Sequence, residues 1–417
     1  MSIYFCIDLK TFYASVECVL RGLDPFKTNL VVADKTRGRG AICLAVSPKL
    51  KMQGVKNRCR LFEIPKNIKY IIAKPRMKRY MEYSVLIHKI YLKYVSSIDV
   101  FQYSIDEAFL CVTPYLKLYN KSAYNLAKEI IGDVKRKTGI TAACGIGTNL
   151  YLAKVALDIM AKHNKDNIAY LNEDEYKKKL WYHEPLSDFW QIGVKTENKL
   201  NKLHLKNMHD IAFANEKVLY KTFGINAKLL IDHAKGIEPC TIKEIKAYKP
   251  KCNSISNSQI LDKDYDYKQA KVVLTEMINN LSLRLSKENL FTDHVGFFIG
   301  YSKDEAPGTK VSKTLDEQTN NTNKITKLLL SEYDYVINTK YKIRRISVFF
   351  TNVGKRKFKQ LNMFSNEEED KKENKLSNII NEIKEKYGND SILKCISLLD
   401  FATQKKRNKL IGGHNAE

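Results

Sequence analysis

The alternation of apolar and polar residues predicts strands mixed with covering helices from the start of the chain to Leu171. Ser2–Asp8 alternates and is rich in β-branched and aromatic residues, which is typical of a strand, and this strand ends in a carboxylate. Lys10–Arg21 carries apolar residues at helical spacing, which predicts a helix. Further strands are predicted at Asn29–Ala33, Ala41–Ser47, Thr141–Gly147 and Asn167–Leu171 and in two segments of Ile98–Val112, and further helices at Lys49–Gln53, Tyr80–Val95, Tyr124–Lys137 and Leu150–Lys162. This order is typical of an α+β block with one sheet.

A change in pattern after Asn172 predicts further domains. The chain is helical and polar from there to about Pro239, which favours a separate small helical domain. A polar stretch then leads into a second α+β block whose last strand is Ile343–Thr351. A basic stretch, an acidic run and a helix-rich tail follow this strand.

Composition adds a class of partner to this picture. The 417 residues include 71 lysines and arginines against 46 aspartates and glutamates, a formal net charge of +25 at pH 7. A field of this sign favours a polyanion such as nucleic acid, although a solvated basic surface in a lysine-rich organism gives the same arithmetic. Hydrophobic residues make up 44% and charged residues 28%, which excludes a disordered chain and, at this length, indicates more than one domain.

The sequence gives no sign of a membrane or of an oxidising compartment. No apolar run approaches the roughly 18 residues that a membrane helix needs, and the chain begins with an alternating strand instead of a secretory signal. The nine cysteines are scattered, odd in number and never spaced as CxxC, which argues against a disulfide framework or a zinc site. We therefore expect a cytoplasmic protein with reduced thiols and no membrane partner.

Three carboxylates lie where a strand would otherwise bury them. Asp8 ends the first predicted strand, and Asp106 and Glu107 lie in the apolar segment Ser104–Leu110. Unpaired buried carboxylates are unfavourable, and neighbouring like charges raise one another's pKa unless a cation lies between them. Mg²⁺ accepts carboxylate and phosphate oxygens, and two such ions about 3.5–4 Å apart stabilise the attacking and leaving oxygens of phosphoryl transfer. The alternative is a solvated hairpin turn, and because adjacent strand residues face opposite sides, the pair shares a metal centre only if the backbone turns there.

These carboxylates belong to a series of short motifs. In chain order the motifs are Asp8 followed by Phe12-Tyr13-Ala14, then Ser104-Ile105-Asp106-Glu107-Ala108-Phe109-Leu110, and then Gly145-Ile146-Gly147 leading into Leu152-Ala153-Lys154 and Met160-Ala161-Lys162. Their order and spacing resemble those of Y-family DNA polymerases, the translesion class. Within that class the chain is most similar to the UmuC-like bacterial branch of Gram-positive type, and the resemblance extends from Met1 to about Val353.

The resemblance implies an α+β multidomain protein with the right-hand architecture of a polymerase. The implied domains are the palm, a mixed sheet with helices (residues 1–12 and 75–172), the fingers (13–74), a helical thumb with a helix-hairpin-helix (173–242), a linker (243–252), an α+β little finger (253–354) and a C-terminal tail (355–417).

The resemblance also assigns a catalytic centre. Asp8, Asp106 and Glu107 match the family's catalytic carboxylates. Together with the main-chain carbonyl of Leu9 they match the ligands of two Mg²⁺ ions, for which Mn²⁺ is a substitute. Tyr13 matches the steric gate, an aromatic ring that collides with a ribose 2′-hydroxyl and so selects deoxynucleotides, whereas periodicity alone predicts a core aromatic.

Three further positions match residues that bind the incoming nucleotide. They are Phe12, Lys51 and Lys162, and the two lysines correspond to contacts with the triphosphate, where cations stabilise the charge that develops on the leaving group. Many family members carry a tyrosine three residues before Lys51, where this chain has Pro48, which neither donates a hydrogen bond nor replaces a hydroxyl. A single lysine among 71 basic residues is more commonly a surface residue.

Other motifs match contacts with DNA and with the sliding clamp. Gly193 and Lys195 lie in a turn that resembles the thumb's helix-hairpin-helix, where backbone N–H groups approach a phosphate; the alternative is an ordinary helix–loop–helix. Basic residues of the last domain are either phosphate contacts or solvated edge charges, and they are Arg344, Arg345, Lys310 and Lys313. The segment after the last strand resembles the clamp-binding pentapeptide of bacterial polymerases through Gln360, Leu361, Met363 and Phe364.

Together the motifs imply a template-directed, low-fidelity DNA polymerase for translesion synthesis, DNA repair and the SOS response to DNA damage. Its expected partners are primer-template DNA, a dNTP, the sliding clamp and, in some systems, a recombinase filament, with a monomer as the family default. No segment is left for a proofreading exonuclease. Two other classes stay open: a two-metal nuclease or cyclase, against which the gate and the thumb argue, and a catalytically silent scaffold that binds DNA and the clamp, against which the retained carboxylates argue.

Overall fold

The computed structural model describes residues 2–250, 253–302, 305–356 and 367–417, and the chain forms two compact units. The first comprises Met1–Tyr248 together with Glu417, and the second comprises Lys249–Ala416. Across these described ranges, no helix combines the length and apolar character needed to cross a membrane. The expected clamp-binding residues 360–364 lie outside the described residues.

The first unit is built on a five-stranded mixed sheet. Its elements in chain order are β1 (Tyr4–Leu9), α1 (Phe12–Val19), β2 (Leu30–Val32), β3 (Ala45–Val46), α2 (Pro48–Met52), β4 (Ile71–Ala73), α3 (Met77–Tyr91), β5 (Val100–Gln102), β6 (Glu107–Cys111), α4 (Thr113–Leu118), α5 (Ala123–Thr138), β7 (Ala142–Gly147), α6 (Leu150–Val155), β8 (Ile168–Leu171), α7 (Glu173–Leu180), α8 (Val194–Lys202), α9 (Met208–Phe213), α10 (Glu216–Phe223), α11 (Asn226–Ala234) and α12 (Ile242–Ala247). The strand order is β5-β6-β1-β7-β8, in which β1 is antiparallel to both neighbours and β7 is parallel to β8. The central strand β1 therefore carries Asp8 at the carboxyl end of a buried segment.

Two glycines of β7 allow α6 to lie directly on the sheet. A Cβ at Gly145 would lie 2.1 Å from the Ala153 carbonyl oxygen, and one at Gly147 would lie 2.1 Å from the Ala153 nitrogen. Because these neighbours are backbone atoms, only glycine permits this approach. The helix continues beyond α6 as a π-helical turn, Ala156–Ala161, so the predicted helix over Leu150–Lys162 is present with a wider winding at its end.

The expectation of one sheet in this block is wrong. β2 pairs in parallel with β4 and antiparallel with β3, and the three form a separate sheet with its own apolar cluster around Val31, Val46 and Leu50. The strand predicted over Ala41–Ser47 is reduced to β3. Periodicity identifies a strand but not its pairing partner, which in this sheet lies far along the chain.

The helices α7 to α11 form the helical block expected after Asn172. The linker expected at residues 243–252 is wrong in its first half, because α12 occupies Ile242–Ala247. Thr241 and Glu244 cap this helix reciprocally, with the Thr241 N–H donating to the Glu244 carboxylate at 2.8 Å. Ile242 is buried in the core of the first unit and anchors α12 there, although the residues around it are polar.

The second unit is an antiparallel sheet covered on one face by helices. Its elements are β9 (Ile255–Tyr265), α13 (Tyr267–Lys287), β10 (Thr292–Tyr301), β11 (Thr309–Thr319), α14 (Thr322–Val336), β12 (Ile343–Thr351), α15 (Glu367–Tyr387), α16 (Gln404–Asn408), β13 (Leu410–Ile411) and β14 (His414–Asn415). The sheet order is β11-β10-β12-β9, and Phe297, Ile346 and Val348 from its covered face meet Val273 and Met277 of α13 in the core. In the tail, helix α15 packs against α13. The strands β13 and β14 form a hairpin.

Candidate active site

The register of β1 and β6 places Asp8 directly opposite Glu107. Opposite residues of an antiparallel pair point to the same face, so both carboxylates lie on one side of the sheet. Residues 104–106 form a bend before β6 begins, and the Leu9 N–H donates to the Asp106 carbonyl at 3.0 Å. The backbone therefore turns beside Asp106. Such a turn is the condition under which Asp106 and Glu107 can share a metal centre.

Glu107 is buried and paired with a buried lysine. Lys154 Nζ lies 2.8 Å from Glu107 Oε1 and 2.9 Å from Oε2, and the two side chains are 8% and 9% exposed. Cys6 Sγ donates to Oε1 at 3.0 Å, and the pKa of this thiol is raised well above its ordinary value, first by burial and then by Glu107. Glu107 is thus an ion-paired carboxylate with a neutral thiol beside it.

The other two carboxylates have fewer partners. Lys162 Nζ lies 3.0 Å from Asp8 Oδ2, and Asp106 accepts a hydrogen bond from Ser104 Oγ at 2.6 Å. The pKa of Asp8 is raised to about 6, first by burial and to a smaller extent by Asp106 and Glu107, against the opposing effect of Lys162. The Asp8 carboxylate is therefore largely buried, with Lys162 as its ion-pair partner and with two further carboxylates near it.

Asp158 links the two lysines. Its Oδ2 lies 2.9 Å from Lys154 Nζ, and its Oδ1 lies 2.7 Å from Lys162 Nζ. Burial lowers the pKa of Lys154, but Cys6, Glu107 and Asp158 outweigh it and raise this pKa above its ordinary value. Sequence analysis gave no role to Lys154 or Asp158, although their i, i+4 spacing with Lys162 along a predicted helix was a visible signal.

Two more lysines face Asp8. Lys10 Nζ donates to the Lys162 carbonyl at 3.3 Å. Burial lowers the pKa of both Lys10 and Lys51; Lys162 lowers each pKa further, whereas Asp8 raises it. The structure thus brings Lys51 and Lys162 together beside Asp8 and adds Lys10, which the sequence did not single out. Pro48 occupies the first position of α2, where its missing N–H is tolerated.

The donor set fits a hard divalent cation in its chemistry. The side chains of Asp8, Asp106 and Glu107 and the Leu9 carbonyl are oxygen donors, which Mg²⁺ prefers. Within the described residues, no group of three aspartate, glutamate, histidine or cysteine side chains is close enough together to hold a metal ion. A bound cation would therefore compete with the lysines for the same oxygens.

The expected steric gate lies beside the expected metal ligands. Tyr13 is half-buried in the first turn of α1, and its pKa is raised first by burial and then by Asp106, which it faces. Its ring stacks on Tyr80 with 4.5 Å between centroids and 22° between planes. Phe12 is only 2% exposed, so its side chain packs in the core while Tyr13 remains accessible.

The expected phosphate-binding turn lies at the N-terminus of α8. Gly193 caps this helix, and a Cβ there would meet no protein atom within 4 Å. Gly193 and Lys195 are exposed, and Val194 between them is 63% exposed. An open helix N-terminus is suited to a phosphate, because its first N–H groups have no partner within the helix.

Two expected DNA contacts lie on the uncovered face of the second sheet. Arg345 lies over the Phe298 ring at 5.7 Å, and Lys310 lies over the Phe349 ring at 5.5 Å. Phe298 and Lys310 are opposite one another in the register of β10 and β11, so they share this face.

The other two basic residues of this group are paired with carboxylates. Arg344 Nη1 lies 3.3 Å from Asp264 Oδ1, and Lys313 Nζ lies 2.9 Å from Glu332 Oε1 on α14. The pairing of β12 with both neighbouring strands shifts register around Arg344, and the two arginines have different partners, Asp264 for Arg344 and the Phe298 ring for Arg345.

Two segments of the chain match a known protein family. Residues 7–158 match the impB/mucB/samB family, and residues 253–363 match the C-terminal domain of that family. The chain belongs to the impB/mucB/samB family. This membership confirms the resemblance to Y-family translesion DNA polymerases of Gram-positive type.

Relatives of this impB/mucB/samB protein are similar along almost their whole length. The relative UvrX of Bacillus subtilis is 35% identical over 415 residues, which cover 99% of this chain and 97% of the relative. DNA polymerase IV 2 of the same organism is 29% identical and covers 99% of this chain and 98% of its own. A solved chimeric Y-family DNA polymerase has the same fold, with a TM-score of 0.66 and 21% identity over 85% of this chain and 100% of the chimera.

Proposed function

We propose that this protein carries out template-directed, low-fidelity DNA synthesis past lesions, without proofreading. In this reaction the primer 3′-hydroxyl attacks the α-phosphate of a dNTP, and pyrophosphate leaves. The observation that supports the proposal is that Asp8 lies opposite Glu107 at the end of β1 with Asp106 next to them in the chain, and that Lys162 and Lys51 lie on the side of Asp8. Carboxylates for cations and cations for a triphosphate are the two requirements of phosphoryl transfer.

The acidic residues have distinct proposed tasks. Asp8, Asp106 and the Leu9 carbonyl would hold two Mg²⁺ ions, with Glu107 completing the site and Mn²⁺ able to substitute. When bound, these ions would stabilise charge on the attacking and leaving oxygens. Lys154 would hold the Glu107 side chain in position through its two contacts below 3 Å.

The basic and aromatic residues would bind and select the nucleotide. Lys51 and Lys162, with Lys10 beside them, would face the β- and γ-phosphates and balance the charge of the leaving pyrophosphate. Tyr13 would exclude ribonucleotides, because its half-exposed ring lies next to Asp106.

Other parts of the chain would hold the DNA and its partners. We assign the palm, fingers and thumb to the first unit and the little finger and tail to the second, within the boundaries that the sequence indicated except that α12 extends the thumb. Gly193 and Lys195 would contact a DNA phosphate, as would Arg345 and Lys310 on the open sheet face.

Further partners are proposed from the resemblance. Residues 360–364 would bind the sliding clamp, the protein would act as a monomer, and a recombinase filament is a further proposed partner. The eight cysteines within the described residues are free thiols, which supports action in a reducing cytoplasm.

Primer extension on a defined template with Mg²⁺ tests this function. We expect wild type to extend the primer and Asp106→Ala to lose about 10³-fold or more in kcat, because a ligand of the proposed Mg²⁺ ions is removed. Asp166→Asn, an exposed carboxylate whose partner is the Tyr124 hydroxyl, is the matched control and should retain wild-type activity. Extension by Asp106→Ala at the wild-type rate would overturn the catalytic assignment. A wild-type protein that binds DNA but never extends it, with clamp present, would favour the silent scaffold.

A further inference from the structure

A completely buried glutamate lies behind the expected steric gate. Glu17 on α1 is 0% exposed and accepts hydrogen bonds from Arg76 Nε at 3.0 Å and Arg76 Nη2 at 2.8 Å. Arg21 also donates to its carboxylate, and the Tyr80 hydroxyl donates to Oε1 at 2.8 Å. Burial raises the pKa of Glu17, but the bonds from Arg76, Arg21 and Tyr80 outweigh it, so the pKa is lowered. The carboxylate is therefore charged and fully engaged.

This network joins two helices at the point where the gate stands. Tyr13 and Glu17 are four residues apart on α1, so they lie on the same face of that helix. Arg76 immediately precedes α3, and Tyr80 is in the first turn of α3 and fully buried. Tyr80 thus touches both α1 residues, with its ring against Tyr13 and its hydroxyl on Glu17.

The stack leaves the gate little freedom toward the protein. One face of the Tyr13 ring packs against Tyr80, whose hydroxyl donates to the Glu17 carboxylate. That carboxylate accepts two hydrogen bonds from Arg76, so it cannot move without breaking them. A steric gate acts by position, since a ring that yields would admit a 2′-hydroxyl. The site residues identified above do not include any member of this support.

We propose that Glu17, Arg76 and Tyr80 are positioning residues that hold the Tyr13 ring in place and thereby set how strongly the enzyme rejects ribonucleotides. This inference rests on the proposed polymerase function and on Tyr13 as its gate. It assigns sugar selectivity to a charged network behind the gate, with no contact between that network and the nucleotide.

The test is the ratio of kcat/KM for a dNTP to kcat/KM for the matching rNTP, measured with full-length protein. This ratio does not depend on the fraction of folded enzyme, because that fraction scales both values equally. Glu17→Gln and Tyr80→Leu should each lower the ratio by about tenfold or more, mainly through better use of the rNTP, because a displaced ring admits the hydroxyl. Tyr80→Phe keeps the stack and loses one hydrogen bond, so the ratio should fall only about twofold to tenfold.

Two controls make the result specific. Arg79→Gln removes an exposed ion pair with Glu82 on the same helix and should leave the ratio at its wild-type value. Tyr13→Ala sets the largest loss of selectivity, and Tyr13→Ala combined with Tyr80→Leu should lose no more than Tyr13→Ala alone, because both act through one ring.

The possible outcomes separate the two levels of the proposal. If Tyr13→Ala loses selectivity and the Glu17 and Tyr80 variants keep the wild-type ratio, the network is structural only and this inference is wrong. If Tyr13→Ala itself keeps the ratio while extension proceeds, there is no gate at this position and both assignments fall. Where Glu17→Gln gives no folded protein, Tyr80→Phe and Arg76→Lys decide the question, and unchanged ratios in both would overturn the inference.

Discussion

Two buried glutamates of the first unit are held by different kinds of cation. Glu107, in the candidate active site, forms an ion pair with Lys154, whereas Glu17, behind the proposed gate, forms ion pairs with Arg76 and Arg21. A lysine ammonium is a compact point charge on a flexible stem, while an arginine presents a planar fork that matches a carboxylate in two bonds. The lysine pair suits the proposed role of Glu107, in which the carboxylate would exchange partners when cations bind. The arginine pair suits a carboxylate that must not move.

The two pairs also differ in how they use the fold. Lys154 lies on α6, which two glycines allow to pack directly on β7. Its ammonium group therefore reaches the Glu107 carboxylate. Arg76 comes from the segment before α3, and its side chain remains 32% exposed. Breaking each pair should therefore give a different loss of stability, and the two tryptophans of the chain, Trp181 and Trp190, report both because they lie in the first unit.

The largest effect is expected from Lys154→Met. It leaves Glu107 buried without a countercharge, which should lower the free energy of unfolding by about 3–5 kcal/mol. Urea unfolding followed by tryptophan fluorescence measures this. Lys121→Met, which removes the more exposed pair with Glu129, should change stability by less than about 1 kcal/mol. Equal midpoints for the two variants would show that the buried pair is not a stabilising contact.

Glu17→Gln should have the next largest effect and should depend on pH. At pH 7 we expect a loss of about 2–4 kcal/mol, less than for a fully buried pair because the arginines are partly exposed. The pKa of Glu17 is lowered in the folded protein, so its ionised form contributes stability above its ordinary pKa, and this contribution is lost as pH falls through the folded value.

Unfolding curves at neutral pH and at about pH 3 check this sign, since the difference between wild type and Glu17→Gln should shrink in acid. Glu82→Gln, which loses only an exposed partner, should differ from wild type by less than about 1 kcal/mol at both pH values. A difference that grows in acid would contradict the ion-paired state of Glu17.

The smallest effect is expected from Asp158→Asn. Both lysines keep their other carboxylate, so the loss should be about 1 kcal/mol at low salt and less at 1 M NaCl, where partly exposed pairs are screened. The measurement is the urea midpoint at the two salt concentrations, with Asp166→Asn as control. A loss as large as that of Lys154→Met would place Asp158, and not Glu107, at the centre of the charge network.

The sequence by itself determined most elements and the family, and it predicted where the site lies. β12 has the predicted bounds, and α1, α5 and β7 lie within a few residues of theirs, because apolar periodicity reports local burial. Asp8, Asp106 and Glu107 could be singled out because carboxylates are unusual in an apolar segment predicted to be a strand. The order of the motifs indicated the family that the comparisons confirmed.

Only the tertiary structure decided which side chains meet. Nothing in the amphipathic pattern of α1 marked Glu17, whose partner Arg76 is 59 residues away, and Lys154 is 47 residues from Glu107. The separate sheet of β2, β3 and β4 and the different partners of Arg344 and Arg345 also could not be predicted from the pattern. The physical reason is that periodicity records whether a residue is buried, whereas its partner is set by packing between segments that are distant along the chain.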